Sequence, residues 1–301
     1  MMPILGGHLD SAPLDPSPRV DPKQQGSKAA RQQGSKAATM TSDRVTSEGK
    51  TFEGKVVLVT GASGGIGQAI ARRFATRGAR LVLQANSHPE KAEGLASQLM
   101  GDGHFVVVAD LRDSEAVAAM VDTAAARCGR IDVLVNNAGI FTLHPPGMVD
   151  YATWLEQWRC TLETNLIGAA NASFCAARVM RRHGGGRIIN ISSRGAFRGE
   201  PEAPAYGASK AGLNALSQSL ALALADDGIF VFAVAPGFVE TAMARPHMSG
   251  ERAELIKRQS PLKRVARPED VAYWVVCCAS EDACFATGAI IDVNGASYLR
   301  S

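Results

Sequence analysis

Past residue 52 the chain settles into an alternation that leaves few folds open. Short apolar, β-branched runs recur at 56–60 (VVLVT), 80–84 (RLVLQ), 105–109 (FVVVA), 131–135 (IDVLV), 187–192 (RIINIS), 229–234 (IFVFAV) and 289–293 (AIIDV). Between them lie segments with Ala, Leu and Arg at three-to-four spacing, such as 66–77 and 114–127. The first pattern reads as strands apolar on both faces, the second as helices with one buried side. A strand buried on both faces needs a helical layer above and below, and parallel strands need a crossover between them. Seven such strands in one series predict a single α/β domain: a doubly wound, seven-stranded parallel sheet with helices on both faces. Hydrophobic residues make up 46 % of the chain, enough to fill that core.

Residues 1–50 follow a different rule. They hold five prolines, almost no aromatics and no hydrophobic periodicity, and QQGSKAA occurs at 24–30 and again at 32–38. A short duplication in polar sequence reads as low complexity, so a disordered tail is expected over 1–50 and the folded domain over 51–301. Two alternatives concern this tail. Translation that starts at Met40 leaves an ordinary short leader. An organellar transit peptide fits poorly, because Asp10, Asp15 and Asp21 are acidic where such peptides are acid-poor.

Net charge is +3, and the first fifty residues hold seven Lys/Arg against five Asp/Glu, leaving about +1 for the rest. That balance gives no electrostatic case for nucleic acid. The six cysteines at 128, 160, 175, 277, 278 and 284 form no CxxC pair and no zinc-type cluster, so no metal site is expected. Reduced thiols and the lack of a secretory layout point to the cytoplasm. No apolar run reaches the ~18 residues of a membrane span.

The first chemical signal is VVLVTGASGGIGQAIARRFA at 56–75. A buried strand runs into Gly61, Gly65 and Gly67, and a helix follows. Glycine allows positive φ and close backbone approach to a ligand, while a helix N-terminus offers free N–H groups to a pyrophosphate. Ser63 adds a hydroxyl, and Gly64 and Ile66 complete the expected contact loop of this Rossmann-like dinucleotide site. NAD binders place an acid at the end of the second strand to hold the ribose 2′-OH. Here Gln84, Ala85 and Asn86 stand there, followed by Ser87 and His88. With no carboxylate to repel a 2′-phosphate, NADP is favoured, with NAD the alternative, and Asn86 is an expected contact. Asp110, after the third strand and beside Leu111, is placed to meet the adenine or to cap the following helix.

The second signal is YGASK at 206–210. One helical turn brings Tyr206 and Lys210 onto the same face. A free tyrosine titrates near about pH 10, and a fixed cation beside it favours the phenolate, so the pair reads as a tuned proton donor or as two ordinary surface residues.

A series of motifs then falls in one order: TGASGGIG (60–67), AD (109–110), NNAG (136–139), Asn165 within ETNLIG, NISS (190–193), YxxxK (206–210), PG (236–237) with Thr241, and VNG (293–295). From about 52 to 299 the chain resembles the short-chain dehydrogenase/reductase family of the compact, one-domain type. The resemblance implies an NAD(P)-dependent oxidoreductase that interconverts a carbonyl and a secondary alcohol. It assigns Tyr206 as proton donor in reduction and base in oxidation, with Lys210 lowering its pKa and holding the nicotinamide ribose. The family's serine precedes its tyrosine by the distance that separates Ser193 from Tyr206; Ser192 should point to the other side of the strand. Asn165 completes the tetrad by ordering a proton-relaying water, or else satisfies a helix kink. Asn137, Ala138 and Gly139 are implied to line the adenosine ribose side, and Pro236, Gly237, Val239 and Thr241 the nicotinamide side.

Phe141, Phe197, Phe238 and Met243 are expected to line the substrate pocket, Arg194, Arg198, Glu200 and Glu202 to be solvated mixed charge, and 242–262 to form a lid. The look is that of 3-oxoacyl-carrier-protein reductases, with two departures. The stretch through FTLHPPGMVDYATW (141–154) is longer than expected. ADDGIFV (225–231) carries Asp226 and Asp227 where a basic residue would greet an acidic carrier, leaving Arg181 and Arg182 for that task. A 3-oxoacyl thioester or small ketone is therefore the expected substrate, with a sugar, polyol or quinone as alternatives and a non-catalytic dinucleotide sensor as the reading from another class. Small residues along 166–183 and 206–225 imply helix pairing into a homodimer or homotetramer.

Overall fold

A computed structural model describes residues 51–244 and 249–300. The expectations for residues 1–50, and for Arg245 and His247 in the lid segment, lie outside the described residues. Seven strands form one sheet: β1 Val56–Val59, β2 Arg80–Ala85, β3 Phe105–Val108, β4 Val133–Asn136, β5 Gly186–Ile191, β6 Ile229–Pro236 and β7 Ile290–Val293. All pairings are parallel, in the order β3-β2-β1-β4-β5-β6-β7. The doubly wound, Rossmann-like sheet expected from the alternation is thus present.

The helices are α1 Gly65–Ala75, α2 Pro89–Ala96, α3 Ser114–Cys128, α4 Tyr151–Leu162, α5 Gly168–Arg181, the short α6 Gly195–Arg198, α7 Pro204–Leu224, α8 Gly250–Arg258 and α9 Pro268–Ala279. Successive strand residues supply opposite faces. Val57, Val59, Leu81, Leu83, Ile189 and Val234 pack with α1 and α9 on one side. Val56, Leu58, Val82, Leu134, Ile188 and Val231 pack with α3, α5 and α7 on the other. Truncating one of these fully buried side chains to alanine costs roughly 2–5 kcal/mol.

The two edges depart from the expectation of strands buried on both faces. Val108 in β3 is exposed, and all four residues of β7 are at least partly accessible. An edge strand lacks one neighbour, and the helical layers thin there. The strand order reverses between β1 and β4, so the segments leaving these two strands diverge and open a crevice at their C-terminal ends.

Candidate active site

The glycine loop leaves β1 into this crevice. Gly61 has φ +62°, and a Cβ there would lie 2.8 Å from Ala138 Cα. A Cβ on Gly67 would collide with the Gly61 carbonyl oxygen, and one on Gly65 would stand 3.1 Å from Thr241 Cγ2. The N-cap of α1, Gly64, contributes no side-chain hydrogen bond. The first-turn N–H groups therefore leave a helix end that no side chain caps, the geometry that accepts an anion. A dinucleotide pyrophosphate fits this cradle.

Three strand ends brace the loop. Asn137 Nδ2 donates to the Thr60 and Gly61 carbonyls at 2.9 and 3.0 Å, and the Asn137 and Ala138 N–H groups both donate to Thr60 Oγ1 at 3.0 Å. Gln84 Oε1 accepts from Gly61 N at 2.7 Å while its Nε2 donates to the Ala109 carbonyl at 2.7 Å. Gln84 is thus a buried tie between strands.

Asn86 is exposed, close to Asp110. Asp110 is gripped by Arg112, whose Nη2 donates at 2.6 Å, and that guanidinium holds the carboxyl below its usual range. The capping role considered for Asp110 belongs instead to Asp113, which accepts from Glu115 N and Ala116 N at the start of α3. Leu111 is buried in the core against Gly168 of α5. Ser63 is half-buried in the loop, and its carbonyl accepts from Gln68 Nε2 at 2.8 Å.

The second half of the site grows from β5 and α7. Ser192 turns inward, its Oγ donating to the Lys210 carbonyl at 3.4 Å. Ser193 faces the other way, accepting from Gly195 N at 3.0 Å, and lines the same cavity as Tyr206. Lys210, one turn after Tyr206, is 4 % exposed and donates through Nζ to the Ile191 carbonyl at 2.8 Å. Burial pushes its pKa down to about 8. Burial also raises the Tyr206 pKa, the nearby Ser193 hydroxyl opposes that, and the Glu200 charge adds to it. Lys210 Nζ stands 5.8 Å from the centre of the Tyr206 ring while it donates to Ile191.

Asn165 lies on a π-helical turn, Glu163–Ile167, between α4 and α5. Its Oδ1 accepts from Ile140 N at 2.8 Å; its Nδ2 donates to the Ile140 carbonyl at 3.0 Å and to Ser209 Oγ at 3.1 Å. The turn aims the amide across the crevice, and such turns gather at functional sites. A Cβ on Gly139 would stand 3.3 Å from Asn165 Oδ1 and 3.4 Å from Lys210 Nζ, so glycine keeps the space between these groups clear.

One cavity of about 220 Å³ joins the two halves. Ile66, Asn137, Gly139, Ser193, Tyr206, Lys210, Pro236, Gly237, Val239 and Thr241 line it, with Phe141, Phe238 and Met243 as apolar wall. Phe197 is not in that wall; it packs under the Arg300 guanidinium at 4.6 Å. Glu200 is half-buried near Arg198 at 3.7 Å, and Glu202 pairs with Arg252 of α8 at 3.0 Å, tying α8 to the wall. Arg194 corrects the expectation of solvated charge. It is 3 % exposed and donates to Ser297 Oγ at 2.6 Å and Gln259 Oε1 at 2.7 Å over the Phe238 ring. Composition gives no sign of this, since both partners are remote in sequence. His144, in the long stretch after NNAG, belongs to no motif that would single it out; it is fully buried beside the start of α7.

Residues 61–296 match a family model described as Enoyl-(Acyl carrier protein) reductase. The chain is 40 % identical to the cis-4-hydroxycyclohexanecarboxylate dehydrogenase of Sinomonas cyclohexanicum, covering 82 % of this chain and 98 % of that protein. It is 37 % identical to the D-threitol dehydrogenase of Mycolicibacterium smegmatis (83 % and 95 % covered) and 37 % identical to the 3-oxoacyl-[acyl-carrier-protein] reductase FabG of Escherichia coli (82 % and 99 %). A solved short-chain type dehydrogenase/reductase from Mycobacterium ulcerans superposes with a TM-score of 0.77 at 30 % identity, over 82 % of this chain and 90 % of that one. Sheet order, glycine cradle and these relatives agree: the chain belongs to the short-chain dehydrogenase/reductase family and is an NAD(P)-dependent oxidoreductase.

Proposed function

We propose that the chain reduces a carbonyl to a secondary alcohol, and the reverse, with NADPH preferred and Tyr206 as the proton donor. The observation that carries this reading is the meeting of Ser193, Tyr206 and Lys210 in the wall of one cavity, with Lys210 buried one turn along the same helix as Tyr206. The nicotinamide, when bound, supplies or takes up the hydride at carbon. Burial favours the protonated Tyr206 hydroxyl, which gives its proton to the oxygen that becomes the hydroxyl. Ser193 donates to the same oxygen as charge develops there. Lys210 holds the ribose and favours the phenolate left behind. Asn165 fixes the main chain at Ile140 and orders a water that returns a proton toward Lys210. Gly61, Ser63, Gly64, Gly65, Ile66 and Gly67 hold the pyrophosphate. Asn86, Asp110 and Leu111 border the adenine, Asn137, Ala138 and Gly139 its ribose side, and Pro236, Gly237, Val239 and Thr241 the carboxamide.

The preference for NADPH is supported by the end of β2, where Gln84 is turned inward and no carboxylate follows through His88. Arg112, beside Asp110 and Asn86, adds a cation at that edge. A 3-oxoacyl thioester or small ketone is the first substrate. Glu200 favours a second reading, a polyol or hydroxylated ring, because a half-buried carboxylate near Tyr206 accepts hydrogen bonds from substrate hydroxyls. Arg181 is held by Asp227 at 2.6 Å, which removes one cation from an acidic carrier. We further propose a homodimer or homotetramer in the cytoplasm; free thiols at all six cysteines and the exposed Ile167 and Phe174 on the α5 side support this.

Initial rates of NADPH and NADH oxidation test the reading, for a chain beginning at Met40 and for Tyr206→Phe, over 3-oxoacyl thioesters, cyclic ketones, quinones and keto-sugars. Turnover that prefers NADPH and disappears in the variant is expected. Equal rates in Tyr206→Phe refute the tyrosine mechanism.

A further inference from the structure

We propose that His144 is a positioning residue for Tyr206: its imidazole replaces the missing N-cap of α7 and fixes where that helix begins. The inference rests on the dehydrogenase reading of the site. Helix α7 opens with weak local means. Its N-cap is Ala203, which has no side-chain acceptor, and Pro204 at the first position has no N–H. The Tyr206 and Gly207 N–H groups both reach the Ala203 carbonyl, at 3.0 and 3.3 Å. The Ala205 N–H has no such partner within the helix, and Ala205 is fully buried. His144 Nε2 accepts it at 3.1 Å.

The rest of the imidazole is arranged to make that acceptor permanent. Nδ1 stands 2.9 Å from the Thr142 carbonyl, which can only accept, so Nδ1 carries the proton and Nε2 keeps its lone pair. The ring is 0 % exposed and meets the edge of Trp154 in α4 at 5.7 Å. The His144 main chain is tied too, its N–H donating to the Glu202 carbonyl at 2.9 Å in the turn that enters α7. Segment 142–144, part of the unexpectedly long stretch after NNAG, thus grips the residues on either side of the helix start. Tyr206 is the next residue after the bonded N–H, and any shift of this first turn is carried to the phenol at the end of its side chain. Displacement of a reacting group by about one ångström costs on the order of a hundredfold in rate.

The test compares full-length wild type, His144→Phe and His144→Gln by steady-state kinetics, amide exchange at Ala205 and ultraviolet titration of Tyr206. His144→Phe keeps a flat ring without an acceptor, and His144→Gln restores one; His144→Leu serves if His144→Phe does not fold. We expect His144→Phe to lower kcat by about tenfold to a hundredfold with KM for the dinucleotide within about twofold. Ala205 exchange should accelerate in step, and His144→Gln should recover most of both losses. A folded His144→Phe with unchanged kcat overturns the proposal. So does an equal loss in Phe and Gln variants accompanied by weaker dinucleotide binding, which is the mark of a merely structural residue. If wild type reduces no carbonyl, the dehydrogenase reading fails on its own. The cap is then decided by exchange and titration: a moved Tyr206 titration supports it, an unmoved one overturns it.

Discussion

Lys210→Met is expected to change stability in a way that depends on pH. Lys210 is 4 % exposed, its Nζ has one neutral partner at 2.8 Å, and no carboxylate pairs with it among the described residues. Burial takes its pKa from 10.5 to about 8. The direction fixes the sign. Between those values the unfolded chain holds a proton that the folded chain has released, so wild-type stability rises with pH across that window. Below it both states are charged, and the fold carries the full cost of the buried ammonium. At about 1.4 kcal/mol for each tenfold change in proton affinity, that cost is about 3 kcal/mol. Methionine fills a similar volume with neither charge nor proton, and forfeits the bond to Ile191, worth about 1–3 kcal/mol. The two effects nearly offset at neutral pH, but only the first varies with pH. The wild type should therefore gain about 2 kcal/mol on the variant between about pH 7 and pH 10. Urea unfolding of both proteins in steps of about half a pH unit, without added dinucleotide, gives the difference curve. A flat difference refutes the reasoning, since the shared titrations cancel and Lys210 alone remains.

Two further outcomes follow from the geometry. Gly67→Ala places a Cβ against the Gly61 carbonyl and 2.9 Å from both Ala62 Cα and Asn137 Nδ2. Fluorescence titration should show dinucleotide Kd raised by at least about tenfold, with about 1–3 kcal/mol lost from stability by overpacking; a Kd within twofold removes the cradle argument. Phe174→Glu puts a charge on the exposed face of α5, where Phe174 is 65 % accessible, and light scattering should report a smaller assembly than wild type, whereas an unchanged mass rules out that face as the contact.

Much of the site is legible in the sequence because its signals are local. The TGASGGIG loop joins a strand to a helix within one window, and YxxxK needs only one helical turn. Polar residues whose partners lie far along the chain are not legible. Arg194 reads as solvated by residue type, yet its acceptors are 65 and 103 positions away. Gln84 reads as a ribose neighbour and is a tie to loops 23 and 25 positions off. Asp110 and Asp113 are both acids near a helix start, and which one caps depends on the position at which α3 leaves β3.

By itself the sequence determined the seven-strand alternation, the doubly wound class, the glycine cradle and the tyrosine–lysine pair, because period and spacing act through neighbours a few residues apart. Only the tertiary structure decided that Asn165 reaches across to Ile140 and Ser209, that Lys210 spends its proton on Ile191, and that His144 caps α7 from 61 positions away. A buried polar group must find a partner, and which partner it meets is set by how the strands order themselves in the sheet, a property that no window of sequence contains.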